Sequence, residues 1–189
     1  MCSSDLTMDR QPIFDIVSRR YAQVHGAVPN LDFPAFHSHA RNNVVGAALG
    51  YRRADSGALF LEAYLDRPVE AELNDALGRS FERCDIIEIG NMAAETAPAM
   101  IALWADAAND LGGRAEIAVA VLTAQLRSMF RRLGLTIHEL VPAAAERLGA
   151  SADSWGSYYA QDPVVCAGLI AEGQERLARF ATRHGRACA

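Results

Sequence analysis

Glu88, Gly90 and Asn91 fall in the run IIEIGNMAA (residues 86–94), which begins as a buried strand and leads to a helix start at Ala97-Pro98. A strand that serves only packing has no use for a carboxylate, a glycine and an amide set so close together. Alternation along a strand puts Ile87, Ile89 and Asn91 on one face and Ile86, Glu88 and Met92 on the other. Glu88 then shares a side with apolar neighbours, where an ionised carboxylate must be paired or hydrogen-bonded, or its pKa rises. Glycine inside a strand marks a bulge or a close backbone approach. A bulge at Gly90 would part this strand from its neighbour and leave a slot lined by backbone donors. The helix beginning at Ala97 aims its N–H groups at the same end. A carboxylate in such a slot can serve as a general base, and backbone donors freed there can hold a developing oxyanion.

Other polar residues have competing readings. Thr123 ends the apolar run AEIAVAVLT, where it either faces the slot or simply caps the next helix. Tyr158 and Tyr159 follow Trp155 in an aromatic loop, as hydroxyl donors or as packing. Arg127, Arg131 and Arg132 would grip a phosphate or form a solvated face. His37 and His39 share a strand face, but two imidazoles are half a metal site, so no metal is expected. Cys2, Cys84, Cys166 and Cys188 are widely spaced and read as reduced thiols.

The elements that must position these residues follow from periodicity. Residues 1–11 lack a pattern and read as a loose tail, with a single domain over 12–189. Ile13, Phe14, Val17, Tyr21 and Val24 recur at helical spacing up to Gly26. FHSHA and NVVGAALGYRR read as strands joined near Arg41–Asn43, and GALFLEAYLD reads as a third strand carrying Phe60, Glu62 and Tyr64 on one face. A helix opens near Pro68, with Val69, Leu73 and Leu77 on its apolar side. The strand from Asp85 and a helix from Ala97 to Gly112-Gly113 come next. AEIAVAVLT then suits a strand covered on both faces, followed by a short helix, the strand LTIHELV and a last helix opened by Asp162-Pro163. The order predicts a mixed α/β sheet with helices on both faces.

Four segments together resemble the thermostable hemolysin family: FLEAYLDRPVE (Phe60–Glu70), IIEIGNMAA, FRRLGL (Phe130–Leu135) and WGSYYAQDP (Trp155–Pro163). That family is similar to the GNAT superfamily of N-acyltransferases, and LEAYLD with IIEIGNMA is more distantly similar to acyl-homoserine-lactone synthases. The resemblance implies a mostly antiparallel sheet whose two central strands splay to admit the pantetheine arm of a donor. Gly90, Met92, Ala93 and Thr123 would line that slot, with Arg127 and Arg131 near the donor phosphate. It raises Glu62 and Tyr64 to candidate catalytic residues beside Glu88 and Asn91, and offers Tyr158 or Tyr159 as acid for the departing thiolate. The co-substrate is then an acyl-acyl carrier protein or acyl-CoA, with no permanently bound cofactor, and the acceptor is a small-molecule amine. The glycine-rich pyrophosphate loop of acetyl-CoA-binding relatives is replaced here by AAETAPAM. Its extra acid, Glu95, favours a carrier protein with one phosphodiester.

Composition narrows the alternatives. The 189 residues carry a net charge of −5, which gives nucleic-acid binding no support. All 18 basic residues are arginine, so no lysine is available for catalysis. The apolar runs fall well short of the roughly 20 residues a membrane span needs, and no signal-peptide layout opens the chain, so a cytoplasmic protein is expected. A membrane-active hemolysin and an inactive binding module remain the competing functions.

Overall fold

The computed structural model describes residues 10–185. Helix α1 (Gln11–His25) takes Pro12 in its first turn, buries Ile13, Ile16 and Val17, and stops at Gly26 in a left-handed conformation. The expected tail lies mostly outside the described residues, and Gln11 already belongs to α1. Strands β1 (Ala35–Arg41) and β2 (Val44–Arg53) form a hairpin through Asn42 and Asn43. Both asparagines take positive φ, as the tight hairpin turn requires. Helix α2 (Val69–Leu77), strand β3 (Ile86–Ala94), helix α3 (Ala97–Leu111), strand β4 (Ile117–Leu122) and helix α4 (Ala124–Arg132) follow. Strand β5 (His138–Pro142), strand β6 (Val164–Leu169) and helix α5 (Ile170–Gly185) are the last elements of the described residues.

The strands form one sheet in the order β1-β2-β3-β4-β6-β5. Only the β3–β4 pair is parallel. Helices α3 and α5 bury Met100, Leu103, Leu111 and Leu177 against Ala47, Leu49 and Ile87 of one face. The other face carries α1 over Ala48 and Ala93, and α2 with the segment around Leu61 over Ile86, Ile117 and Val119. The expected mixed, mostly antiparallel sheet with helices on both faces is what forms.

Two segments differ from expectation. Residues Phe60–Tyr64 are a 3-10 turn, not a third strand. Glu62 turns back so that its carboxylate accepts from Leu59 N (2.8 Å) and Val69 N (3.2 Å), which a strand conformation could not allow. Asp162-Pro163 does not open a helix: Asp162 takes φ 49°, and Val164–Leu169 is the antiparallel strand between β4 and β5. The count of six strands was therefore met with one expected strand lost and one unexpected strand gained.

Candidate active site

β3 and β4 run in register from Ile86 opposite Ile117 to Ile89 opposite Ala120, and their pairing then stops. β3 instead stays with β2, through Gly50 opposite Gly90 and then Ala48 opposite Ala93. Asn91 and Met92 thus face the single residue Leu49, a bulge made possible by φ 49° at Asn91. The extra residue reverses the alternation. Met92 joins Ile89 on the α3 face, and Asn91 lines a cavity with Glu88 on the α1 face. Strict alternation had placed both the other way.

Four cavities surround this break. A small one of about 50 Å³ is lined by Glu88, Gly90, Asn91, Tyr64, Tyr158 and Phe60. A slot of about 240 Å³ runs between the end of β3 and the N-termini of α3 and α4, past Ala93, Glu95, Thr96, Thr123 and Tyr158. On the opposite face an apolar cavity of about 130 Å³ is walled by Ile89, Trp104, Phe130, Leu122 and Leu177. Met92 lines all three. A fourth, of about 180 Å³, is lined by Asn30, Asp32, Arg52 and Leu59, and shares Phe33, Phe60, Asn91 and Trp155 with the first.

Glu88 is only 2 % exposed and forms no ion pair among the described residues. Its Oε2 accepts from Phe60 N (3.0 Å) and its Oε1 from Leu61 N (2.8 Å), the donors freed at the start of the 3-10 turn. Burial raises its pKa, against the pull of those two donors and of Arg52. Beside it the Tyr64 and Tyr159 hydroxyls lie 2.7 Å apart, and the Tyr158 hydroxyl donates to Val121 O at 3.4 Å. Burial raises the pKa of all three phenols, so they remain protonated donors. Asn91 donates Nδ2 to Asn30 O at 2.9 Å, tying the loop before β1 to the bulge.

Other candidates lie elsewhere or serve another purpose. Glu62 lines none of the four cavities. Arg83 holds it at 2.7 Å, and although burial pushes its pKa up, Arg83 and the backbone donors bring it below the usual value. Arg127 also lies outside the slot: its guanidinium donates to Leu122 O (2.9 Å), Asp162 O (2.6 Å) and Asp162 Oδ2 (2.6 Å). Through Nη1 and Nη2 it clamps the end of β4 to the turn before β6. Arg131 pairs with Glu139. Thr123 lines the slot and also caps α4, accepting from Leu126 N at 3.4 Å. His37 and His39 do share a face, but contact Asp110 (3.0 Å) and Asp106 (2.9 Å). Among the described residues no three or more metal-ligating side chains gather. Cys84 and Cys166 are free thiols, and Cys2 and Cys188 lie outside the described residues.

Arg20, His25, Phe33 and Arg52 line these cavities and were not singled out from sequence. Arg52 stands directly opposite Glu88 in the register of β2 and β3, a pairing that the sequence alone does not display. Burial also holds the imidazole of His25 below its usual pKa.

A family profile described as thermostable hemolysin matches residues 4–174. No curated protein matches the sequence significantly. Among solved structures, apo TofI superposes with a TM-score of 0.57 at 16% identity, covering 89% of this chain and 90% of that one. FeeM, an N-acyl amino acid synthase from uncultured soil microbes, gives 0.56 at 14% identity over 90% of this chain and 96% of its own. BjaI, a CoA-dependent acyl-homoserine lactone synthase solved with SAM and isopentyl-CoA, gives 0.57 at 10% identity over 91% and 82%. At these identities the likeness shows a shared fold, the GNAT-like fold expected from the sequence.

Proposed function

The chain belongs to the thermostable hemolysin family, and from that premise we propose that it is an acyltransferase, moving an acyl chain from a pantetheine thioester to an amine. The observation that carries this reading is the parting of β3 from β4 at Gly90, with the carboxylate of Glu88 looking into the opening. The slot between the two helix N-termini suits the pantetheine arm, with Met92, Ala93 and Thr123 as its walls. The apolar cavity beyond Met92 suits the acyl chain. The acceptor then reaches the thioester carbon from the side of Glu88.

In that arrangement the amine arrives as an ammonium and gives a proton to Glu88, whose raised pKa fits it for the task. The amine nitrogen attacks the thioester carbon, a C–N bond forms, and the carbonyl oxygen becomes an oxyanion. Collapse breaks the C–S bond. A tyrosine hydroxyl near Tyr158 gives its proton to the departing thiolate and regains one from the attacking nitrogen, while the proton taken by Glu88 leaves to solvent. Asn91 holds the bulge in shape. Glu62, Arg127 and Arg131 act by positioning, since each is occupied in an ion pair. The donor is carried by acyl carrier protein or by coenzyme A. Glu95 pairs with Arg19, so its charge is less of an obstacle to a pyrophosphate than the sequence suggested.

Purified protein incubated with an acyl-CoA or an acyl carrier protein thioester and a mixture of amines is expected to release free thiol. An amide of matching mass should accumulate with it. Lysis of red cells by the protein alone, with no thiol released under any donor, would instead favour a membrane-active protein. Among the described residues no helix is long and apolar enough to cross a membrane.

A further inference from the structure

Arg52 and Glu88 are direct cross-strand partners on β2 and β3. Side chains opposed in this way have Cβ atoms about 5 Å apart on one sheet face, close enough for an ion pair. No such pair forms. Both oxygens of Glu88 accept from the Phe60 and Leu61 backbone. Arg52 donates Nη1 to Ala58 O (3.3 Å) and Nη2 to Asp32 O (3.1 Å), with its guanidinium over the Phe33 ring, 5.3 Å from the centroid. Among the described residues no carboxylate lies within ion-pair distance of Arg52. Glu88 and Arg52 line adjoining cavities that share Phe33, Phe60, Asn91 and Trp155.

A guanidinium and a carboxylate that stand opposite one another, each bonded to main chain instead of to the other, match a ligand bearing a carboxylate and an amine a short distance apart. An α-amino acid is the simplest such molecule. We infer that Arg52 binds the α-carboxylate of an amino-acid acceptor and so delivers its amine to Glu88. The inference rests on the acyl-transfer reading above and narrows the acceptor from any amine to one bearing a carboxylate. The planar guanidinium fits a carboxylate in a two-point contact, and its carbonyl partners fix it in place beforehand. Phe33, Phe60 and Trp155 flank the same space, which selects an apolar or aromatic amino-acid side chain. Asp32 lines it too, its carboxylate accepting from Asn30 Nδ2 at 2.5 Å. A second negative charge on the ligand would face it, which disfavours acidic amino acids.

The test compares L-phenylalanine with 2-phenylethylamine, which lacks only the carboxylate, on wild-type protein and on Arg52→Gln. Binding is read by calorimetry and turnover by thiol release with an acyl-CoA or acyl carrier protein donor. Wild type should bind phenylalanine more tightly than phenylethylamine by roughly tenfold or more, the usual worth of a charged hydrogen-bonded contact. Arg52→Gln should erase that difference by raising KM for phenylalanine far more than for phenylethylamine, and Arg52→Lys should recover part of it. Equal use of both amines by wild type, or an Arg52→Gln protein that still discriminates between them, overturns the inference. Arg52-dependent binding of phenylalanine without thiol release from any donor upholds the site and overturns acyl transfer instead.

Discussion

Glu62 lies in the 3-10 turn and Glu88 reaches that turn from β3, and both accept hydrogen bonds from the backbone at its start. Their environments push them in opposite directions. Glu62 has a guanidinium against it and a proton affinity held low, and it lines none of the four cavities described above. Glu88 has only neutral donors against it, a proton affinity raised by burial, and an opening beside it. A carboxylate matched by a fixed cation is held as part of the framework. One left with backbone donors keeps the capacity to take and release a proton. The sequence puts Glu88 first and offers Glu62 beside it; their partners in the structure set the two apart.

The largest expected effect is on catalysis. Glu88→Gln should lower kcat/KM by about 100-fold or more, the usual share of a general base. It should change unfolding free energy by less than about 1 kcal/mol, because relief of a buried charge opposes the loss of one acceptor. Rates from thiol release, set beside denaturant unfolding, read the two quantities separately. Glu62→Gln should show the converse. Stability falls by about 2 kcal/mol as Arg83 and two backbone N–H groups lose a charged acceptor. The folded enzyme's rate should drop far less than in Glu88→Gln. If the two variants lose activity equally at equal folded fraction, the contrast between them collapses.

The smallest effect is in pH dependence, and its sign differs between the two acids. Glu62 sits below its usual 4.5 when folded, so its stabilisation is complete above 4.5 and is lost as pH falls through the folded value. Acid titration of Tm should show that loss in wild type and not in Glu62→Gln. Glu88 sits above 4.5, so its charged form costs stability as pH rises through its folded pKa. The acid limb of kcat/KM should accordingly have its midpoint above 4.5, and that limb should vanish in Glu88→Gln.

The break in the sheet was legible because its cause is local. Gly90 interrupts an apolar run, and only a bulge or a close neighbour explains it. The direction of the break was not, since a left-handed Asn91 swaps the faces of every later residue and nothing in the run announces it. The segment at Phe60–Tyr64 misled for a related reason. Phe60, Glu62 and Tyr64 alternate like a half-buried strand, yet Glu62 folds back onto Leu59 N, and Glu88, distant in sequence, captures the next two N–H groups. VVCAGL was passed over because a short apolar run after Asp-Pro fits a helix start as well as a buried strand. Arg52 was overlooked because opposing Glu88 is a property of register, which exists only once the strands are paired.

The Phe33 ring fills the space in front of two strands at once. A Cβ at Gly50 would come within 2.7 Å of it and one at Gly90 within 2.5 Å. Positions 33, 50 and 90 therefore form one unit of variation. A library that randomises them singly will return glycine at both strand positions, whereas one that lets residue 33 shrink at the same time opens them to larger side chains. Reshaping the cavities that Phe33 lines is then a three-site problem with position 33 as its master key.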